Sequence, residues 1–188
     1  LKVIGQHGVG LDNIDVNEAG KHGIKVLNVP DGNYISVAEH TIAFILALSR
    51  SFRINDCSVR SDAWFSRENR YTMEVYKKNL LIVGLGRIGR AVAERAKAFG
   101  MHLMAYDGFV SKEAMEQSGV EKINVLEEGI KKADFITLHV PLTEETKGMM
   151  SGEQFKLMKS SAYIINMGRG AVIDEKALIE ALQNGEIA

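Results

Sequence analysis

Three glycines at a fixed spacing constrain the fold of this chain more than any other feature of its sequence. Gly84, Gly86 and Gly89 follow an apolar run, 79–83, with the pattern of a buried strand, and 87–99 has the pattern of a helix. In such a unit the first glycine permits the tight turn, the second lets a ligand approach the backbone, and the third lets the helix pack on the strand. We expect this turn to receive the phosphates of a dinucleotide at the helix N-terminus. A turn that binds no ligand is the alternative.

Strand and helix patterns alternate through the rest of the chain. Short buried strands are expected at 1–4 and 24–29, and further strands at 102–106, 135–140 and 162–166. Helices are expected at 16–21, 36–49, 111–117, 152–158 and 174–184, with irregular helix in 52–76 and a short turn of structure around 123–132. Strands bounded by helices imply crossover connections and a parallel sheet with both faces covered. The predicted fold class is therefore α/β, with a Rossmann-type doubly wound parallel sheet.

The predicted helix at 36–49 is apolar around nearly its whole circumference, so we expect it to be buried on most sides. Ser36 and Glu39 have the spacing of a capping box that would open this helix. The polar segment that follows holds the single tryptophan, Trp64.

Asp107 ends the strand after the glycine turn, 23 residues beyond Gly84. A carboxylate at that place can accept hydrogen bonds from both ribose hydroxyls of an adenosine, and its charge repels a 2′-phosphate. The pattern thus favours NAD(H) over NADP(H). An aspartate that only forms the turn before Gly108 is the alternative.

Two further segments follow predicted strands, at the sheet edge where open α/β folds bind ligands. One contains Val140 and Pro141, and the other is Asn166-Met167-Gly168-Arg169-Gly170. The guanidinium of Arg169 could hold a substrate carboxylate through paired hydrogen bonds and polarise an adjacent carbonyl. An arginine that merely lies on the surface above a tight turn is an equally open interpretation.

Charge and composition exclude several classes of function. Lys and Arg number 23 against 24 Asp and Glu, a net charge of −1, which gives no electrostatic footprint for nucleic acid or an anionic membrane. The longest apolar run lies within 42–48, too short for a membrane span. The single cysteine, Cys57, excludes an internal disulfide framework and a cysteine-based zinc cluster, and is typical of a reducing compartment. We expect a cytoplasmic protein without a metal site.

Four ordered motifs give the chain a family resemblance. HGVGLDNID (7–15), GLGRIG (84–89), HVPLTEETKGMM (139–150) and NMGRGAVIDEKAL (166–178) resemble the D-isomer-specific 2-hydroxyacid dehydrogenases, most closely the members acting on 3-phosphoglycerate. The resemblance implies an NAD-dependent oxidoreductase for a small D-2-hydroxy acid, with 3-phosphoglycerate expected first and glyoxylate or hydroxypyruvate next. It also implies a substrate-domain remnant at 1–35, an incomplete NAD-binding domain at 36–188, and a homodimer formed through the helix at 36–49 and the Trp64 segment.

The resemblance implies a role for particular residues. It assigns Arg169 to catalysis and the backbone N–H groups of Gly8, Val9 and Gly10 to the substrate carboxylate. The residues implied at the cofactor are Arg87 and Ile88 at the pyrophosphate, Asp107 at the ribose, Val140 and Pro141 near the adenosine, and Met167 and Gly168 beside the nicotinamide.

The sequence also departs from the family's pattern. Members carry a glutamate and a histidine in segments that would follow Ala188, so we expect the chain to be an excerpt of a longer polypeptide. None of the five histidines has a carboxylate at a spacing that suggests a catalytic pair, and structural roles are expected for all of them. The chain alone is therefore expected to bind cofactor without turnover. The alternatives are an NADH-sensing corepressor of the same fold and a formate dehydrogenase.

Overall fold

The computed structural model describes residues 1–61 and 72–188. Its main feature is a five-stranded parallel sheet with the strand order β5-β4-β3-β6-β7. These strands are β3 (Asn79–Val83), β4 (His102–Tyr106), β5 (Glu121–Lys122), β6 (Phe135–Leu138) and β7 (Tyr163–Asn166). The predicted α/β fold with a parallel sheet is confirmed.

From β3 the sheet first extends to one side through β4 and β5 and then to the other side through β6 and β7, so the strand order reverses at β3. In open sheets of this kind, ligands bind in the crevice beyond the carboxyl ends of the strands at such a switch point. Val83 in β3 is paired with Tyr106 in β4 and with Leu138 in β6, so the three strands end level with one another. The segments after these strands therefore share one edge of the sheet.

Helices cover both faces of the sheet because the side chains of each buried strand alternate between two apolar clusters. Leu80 and Ile82 lie in one cluster, while Leu81 and Val83 lie in the other. The first cluster includes residues of α2 (Tyr34–Ser49), α4 (Arg87–Ala98) and α5 (Lys112–Gln117), and the second includes residues of α6 (Leu126–Lys132), α7 (Gly152–Leu157) and α8 (Glu175–Gln183). Burial of these two clusters is the main stabilising contribution to the fold.

A small unit, residues 1–33, precedes this sheet. It consists of β1 (Val3–Gly5), α1 (Val16–Lys21) and β2 (Lys25–Leu27), with the two strands paired in parallel as a separate sheet. Asp15 caps α1 by accepting a hydrogen bond from the Glu18 N–H at 2.8 Å. The prediction that these strands are buried is wrong in this structure, since only the middle residue of each is half-buried and the flanking residues are exposed.

Helix α2 differs from its prediction in two ways. It begins at Tyr34 with Asn33 as the N-cap, so Ser36 and Glu39 lie inside the helix and the predicted capping box is wrong. Its burial is also confined to one side: the buried residues include Ala38, Ile42 and Ile45, whereas Phe44 is 41% exposed. The helix is apolar around its circumference, but within residues 1–61 and 72–188 its buried residues lie on one face.

Two segments are more regular than predicted. The first part of 52–76 is a regular helix, α3 (Phe52–Arg60), and the remainder of that prediction, with Trp64, falls partly on 62–71, outside the described residues. The region around 123–132 contains a full helix, α6, and the short edge strand β5, which the sequence analysis did not identify, precedes it. Within the described residues, no single helix is long and apolar enough to cross a membrane; α2 and α3 together meet that test by length and composition, across a 62° bend.

Candidate functional site

The glycine turn after β3 has the geometry that its sequence predicts. Gly84 has a φ of +93°, and a Cβ there would lie 3.0 Å from the carbonyl carbon of His139. A Cβ on Gly89 would overlap with the carbonyl oxygen of Gly84, so the third glycine lets α4 pack against the turn. Around Gly86, by contrast, no heavy atom of the described residues lies within 4 Å of where a Cβ would stand. The backbone is therefore open to a ligand at the residue before the first turn of α4, where N–H groups lack intrahelical partners.

A cavity of about 590 Å³ adjoins this turn at the carboxyl edge of the sheet. It brings together five of the predicted cofactor residues: Gly84, Gly86, Asp107, Val140 and Pro141. The cavity has further lining residues that were not predicted from the sequence, namely Tyr106, Gly108, Phe109, His139, Thr143, Glu145, Thr146 and Met149. Several of these lie in the 139–150 motif, and that motif could have identified them. The cavity is large enough for the adenosine half of a dinucleotide.

Asp107 connects the glycine turn to the end of β4. Its Oδ2 accepts a hydrogen bond from the Leu85 N–H at 2.7 Å, and its Oδ1 accepts from the N–H groups of Phe109 at 2.7 Å and Val110 at 3.1 Å. The Asp107 side chain therefore stabilises the turn before Gly108, as one interpretation predicts. It also lines the cavity, as expected of a residue that binds the ribose. These three N–H groups use three of the roughly four acceptor sites of the carboxylate, so one site on Oδ2 remains for a ribose hydroxyl.

Arg87 and Ile88 begin α4 but do not line the 590 Å³ cavity. The Arg87 Nε lies 2.9 Å from the Asp31 carboxylate, and its Nη1 lies 3.4 Å from the Pro30 carbonyl oxygen. This pair links the first turn of α4 to the segment that leads from the small unit into α2. Ile88 lines a second cleft.

The second cleft, of about 330 Å³, lies between the small unit and the large sheet. The predicted substrate loop, Gly8, Val9 and Gly10, forms one side of it. The other side includes Met167 and Arg169, which follow β7. The loop predicted to bind the substrate, the predicted catalytic arginine and one predicted cofactor residue, from opposite ends of the chain, thus share one cleft. The remaining lining residues are Gln6, His7, Asp12, Asn13, Asn33 and Val37.

Hydrogen bonds from β2 and its C-terminal extension hold the substrate loop. The Asn28 side-chain amide donates to the Val9 carbonyl at 2.8 Å, and the Val29 N–H donates to the Gly8 carbonyl at 3.0 Å. Gly8 has a φ of +131°, a conformation that L side chains rarely adopt. Asn28 is a supporting residue that the sequence analysis missed, and no motif on its own would have revealed it.

A similar asparagine shapes the turn that carries Arg169. The Asn166 side chain donates to the Arg169 carbonyl at 2.8 Å and accepts from the Gly168 N–H at 2.9 Å. A Cβ on Gly168 would lie 2.7 Å from the Val140 carbonyl oxygen, so the segments after β6 and β7 lie in close contact. The Arg169 guanidinium extends from this turn into the second cleft and donates to Asp12. Arg169 therefore lies in the cleft and is paired there with Asp12. This position favours a role in the cleft over that of a surface arginine above a tight turn.

His139 lines the 590 Å³ cavity, but its ring nitrogens are buried and, among the described residues, have no hydrogen-bond partner. Burial lowers the pKa of His139 from 6.5 to about 4. The imidazole is thus neutral at physiological pH.

This lowered pKa predicts a pH-dependent stability. Between about pH 6.5 and pH 4 the unfolded chain binds a proton at His139 that the folded chain does not, so the free energy of unfolding should fall as the pH falls through that window. A pKa difference of one corresponds to about 1.4 kcal/mol, so the fall of the His139 pKa from 6.5 to about 4 corresponds to a loss of about 3 kcal/mol in the free energy of unfolding. Urea unfolding of the His139→Asn variant across this range should show a shallower decline than the unaltered protein. Equal slopes would contradict the assignment.

The prediction that no histidine has a carboxylate at a suitable spacing is wrong for His22. The His22 Nε2 lies 3.2 Å from the Glu18 carboxylate, four residues earlier on α1, so a histidine–carboxylate pair does exist in this chain. Neither residue lines the cleft that holds Arg169, and both are exposed. His7 does line that cleft, but the described residues give it no carboxylate partner. Among residues 1–61 and 72–188, no group of three or more His, Cys, Asp or Glu side chains is arranged to hold a metal ion.

Comparisons with known proteins identify the family of this chain. A model of the D-isomer specific 2-hydroxyacid dehydrogenase NAD-binding domain matches residues 42–188. The D-3-phosphoglycerate dehydrogenase of Methanocaldococcus jannaschii is 50% identical over 187 residues, and that of Bacillus subtilis is 48% identical over 188 residues. Each comparison covers the whole chain but only 36% and 35% of the relative, so the chain spans about a third of their length.

Solved structures of related enzymes superpose on the whole chain as well. A D-lactate dehydrogenase from Aquifex aeolicus, complexed with NAD and lactic acid, gives a TM-score of 0.90 at 37% identity, with 56% of that chain covered. A formate dehydrogenase from Granulicella gives a TM-score of 0.93 at 28% identity, with 50% covered. The chain therefore belongs to the D-isomer specific 2-hydroxyacid dehydrogenase family, and its residues 42–188 match that family's NAD-binding domain.

Proposed function

We propose that the whole protein is an NAD-dependent oxidoreductase that interconverts a small D-2-hydroxy acid and its 2-oxo acid. The observation that carries this proposal is the second cleft, where the loop 8–10 and Arg169 meet. The cleft lies beside the glycine turn, since Ile88 and Met167 line it while their neighbours Gly86 and Val140 line the 590 Å³ cavity. A ligand in one cavity would thus adjoin a ligand in the other.

The residues at the first cavity suit NAD. The open backbone at Gly86 and the start of α4 would receive the pyrophosphate, and the remaining acceptor site of Asp107 would bind a ribose hydroxyl. The apolar walls at Val140, Pro141 and Met149 would exclude water from the adenosine. Met167 and Gly168 would lie towards the nicotinamide, and Arg87 would exchange Asp31 for the pyrophosphate. When bound, NAD supplies the chemistry of accepting or delivering a hydride.

The residues at the second cleft suit a 2-oxo acid. Backbone N–H groups of Gly8, Val9 and Gly10 would bind its carboxylate, in a loop whose conformation Asn28 fixes. The Arg169 guanidinium would orient the same substrate and stabilise negative charge on the reacting oxygen.

Activity assays with the full-length protein test this function. We expect NADH-dependent reduction of phosphohydroxypyruvate first, with hydroxypyruvate or glyoxylate next, because the relatives named above are D-3-phosphoglycerate dehydrogenases. Formate with NAD⁺ belongs in the same panel, since a formate dehydrogenase has a TM-score of 0.93 with this chain. Activity with formate alone would support that second candidate. NADH binding without turnover of any of these compounds would overturn the enzymatic proposal and favour a sensor of the same fold, such as an NADH-sensing corepressor.

Asp107 should determine the choice of cofactor. Because a 2′-phosphate would face its carboxylate, we expect NADH to bind at least about tenfold more tightly than NADPH, a difference of about 1.4 kcal/mol. The Asp107→Ala variant should narrow this ratio, mainly by weakening NADH binding. Titration calorimetry or cofactor fluorescence measures both constants. Equal affinities in the unaltered protein would contradict the role.

We infer that residues 1–35 are the end of a substrate domain and that 36–188 belong to the NAD-binding domain. The separate β1-β2 sheet supports this division, as does the packing of α2 against α4 of the large sheet. We also propose a cytoplasmic protein, on the basis of its composition.

We expect the protein to form a homodimer through α2 and the segment that follows it. Phe44, Phe52, Ile54 and Val59 are 41–57% exposed, on two adjoining helices. Exposed apolar residues on two adjoining helices are typical of an interaction surface, and a second copy of the chain would cover them. Sedimentation at micromolar concentration should give the mass of a dimer, and Phe44→Glu should shift it towards the monomer. A monomer in the unaltered protein would contradict the expectation.

A further inference from the structure

We propose that Asp12 is a positioning residue for the reaction, which holds the guanidinium of Arg169 so that two of its N–H groups face the substrate. The inference rests on the proposed function, and it assigns a role to a residue that the sequence analysis left without one.

The contact itself is short and directional. The Asp12 Oδ2 accepts from the Arg169 Nε at 2.8 Å and lies 2.6 Å from the Arg169 Nη2. The two residues are 157 positions apart and come from opposite sides of the cleft. The hydrogen bond from Arg169 keeps the pKa of Asp12 below its usual range, so the carboxylate stays charged when the pair is formed.

Counting donors shows what the pair leaves free. A guanidinium has five N–H groups. Asp12 takes the N–H on Nε, its Oδ2 also lies in ion-pair contact with Nη2, and the Gly168 carbonyl, 3.3 Å from Nη1, takes one N–H there. At least one N–H then remains on each terminal nitrogen, and a carboxylate or a carboxylate–carbonyl pair can accept both together. The protein contacts thus leave the number of donors that a 2-oxo acid requires.

Gly10 fixes where this pair lies. A Cβ at Gly10 would overlap with the Arg169 guanidinium and would lie 2.7 Å from the Asp12 Oδ2. The pair therefore rests directly against the loop whose backbone N–H groups are proposed to bind the substrate carboxylate. Asp12, Gly10 and Arg169 form one unit in which the loop and the guanidinium face the same ligand.

The value of the pair lies in orientation and not in stability. The Asp12 and Arg169 side chains are 53% and 42% exposed, and exposed ion pairs of this kind contribute little to the free energy of unfolding. A free arginine side chain samples many rotamers, and the pair selects one of them. Misplacement of a substrate-orienting group by about 1 Å can cost about a hundredfold in rate. Loss of Asp12 should therefore affect turnover far more than folding.

The experiment compares kcat, KM and thermal stability in full-length variants, with phosphohydroxypyruvate and NADH as the probes. We expect Asp12→Ala to lower kcat by about 10- to 100-fold, with a smaller change in KM and an unchanged dissociation constant for NADH. Asp12→Asn keeps an oxygen acceptor and should recover part of kcat. Asp15→Ala is the matched control in the same motif: it removes the N-cap of α1, so it should lower the melting temperature and leave kcat unchanged.

Each other outcome contradicts the proposal. If Asp12→Ala raised kcat/KM, the carboxylate would compete with the substrate for Arg169 instead of orienting it. An unchanged kcat in Asp12→Ala, or in Asp12→Leu if the alanine variant fails to fold, would show that Arg169 needs no such support, because neither side chain can accept a hydrogen bond. Absence of turnover in the unaltered protein would instead overturn the proposed function, and this inference with it.

Discussion

Replacing Arg169 with alanine in the full-length protein is expected to lower kcat for a 2-oxo acid by about 10²- to 10³-fold. A preorganised donor that stabilises charge on the reacting oxygen has an effect of this size, because the charge develops only as the reaction proceeds. The NADH dissociation constant should change little, since the Arg169 guanidinium extends into the second cleft and does not line the 590 Å³ cavity. Steady-state kinetics and NADH titration measure the two effects separately.

Two further variants separate the contributions to this loss. Arg169→Lys keeps the charge but cannot donate from two nitrogens at once, so its kcat should remain well below that of the unaltered protein. Arg169→Ala also leaves the Asp12 carboxylate unpaired in the cleft, where it would repel an anionic substrate. The double variant Asp12→Ala, Arg169→Ala removes that repulsion and should recover KM without recovering kcat. Retention of more than about a tenth of kcat in Arg169→Ala would contradict the assignment.

The large sheet could be predicted from the sequence because its strands are continuous apolar runs bounded by turn signals. Four of its five strands were predicted within a few residues of where they lie. The exception, β5, contains only Glu121 and Lys122, and it extends the sheet at one edge. Two polar residues carry no periodic pattern, so only the backbone pairing with β4 reveals this strand.

The errors at α2 and at the small unit have a common cause. An apolar pattern predicts which residues can be buried, but burial also needs a partner layer. Phe44 in α2 and Leu27 in β2 are exposed although the pattern marks them as core. The error at the start of α2 has a local cause: Ser36 and Glu39 have the capping spacing, but the helix begins at Tyr34 with Asn33 as its N-cap. The Asn33 side chain makes no capping hydrogen bond, so a side-chain capping pattern does not mark the start of this helix.

At the candidate site, the sequence identified residue types and the fold added their partners. Gly8, Arg169 and the glycines of the turn after β3 lie in recognisable sequence motifs, so the sequence alone could identify them. The supporting contacts do not follow from spacing: Asn28 binds the backbone of Val9, and Asp12 meets Arg169 across 157 residues. Hydrogen bonds between distant segments depend on where the parallel strands place their carboxyl ends, and that is a property of the folded sheet.

The second large effect is expected for the 188-residue chain on its own, which should bind NADH but show no detectable turnover of phosphohydroxypyruvate, hydroxypyruvate or glyoxylate. The elements proposed to hold NADH lie within the chain: the open backbone at Gly86, the start of α4 and the carboxylate of Asp107. A fluorescence titration should therefore detect NADH binding. Reduction of a 2-oxo acid needs in addition a proton for the oxygen that becomes a hydroxyl, and a positioned acid–base group contributes about 10²- to 10⁴-fold.

No histidine that lines the Arg169 cleft has a carboxylate partner among the described residues, so this acid–base group is not provided by a histidine–carboxylate pair. His22 has a carboxylate partner but lies outside the Arg169 cleft, and His139 is buried with its pKa lowered to about 4, which makes it a poor proton donor near neutral pH. His7 is within the cleft, but the described residues provide no carboxylate partner for its ring. Rates for the chain should therefore fall at least about 100-fold below those of the full-length protein. If the chain did turn over, the His7→Ala variant would decide the matter, because loss of that turnover would identify His7 as the proton donor.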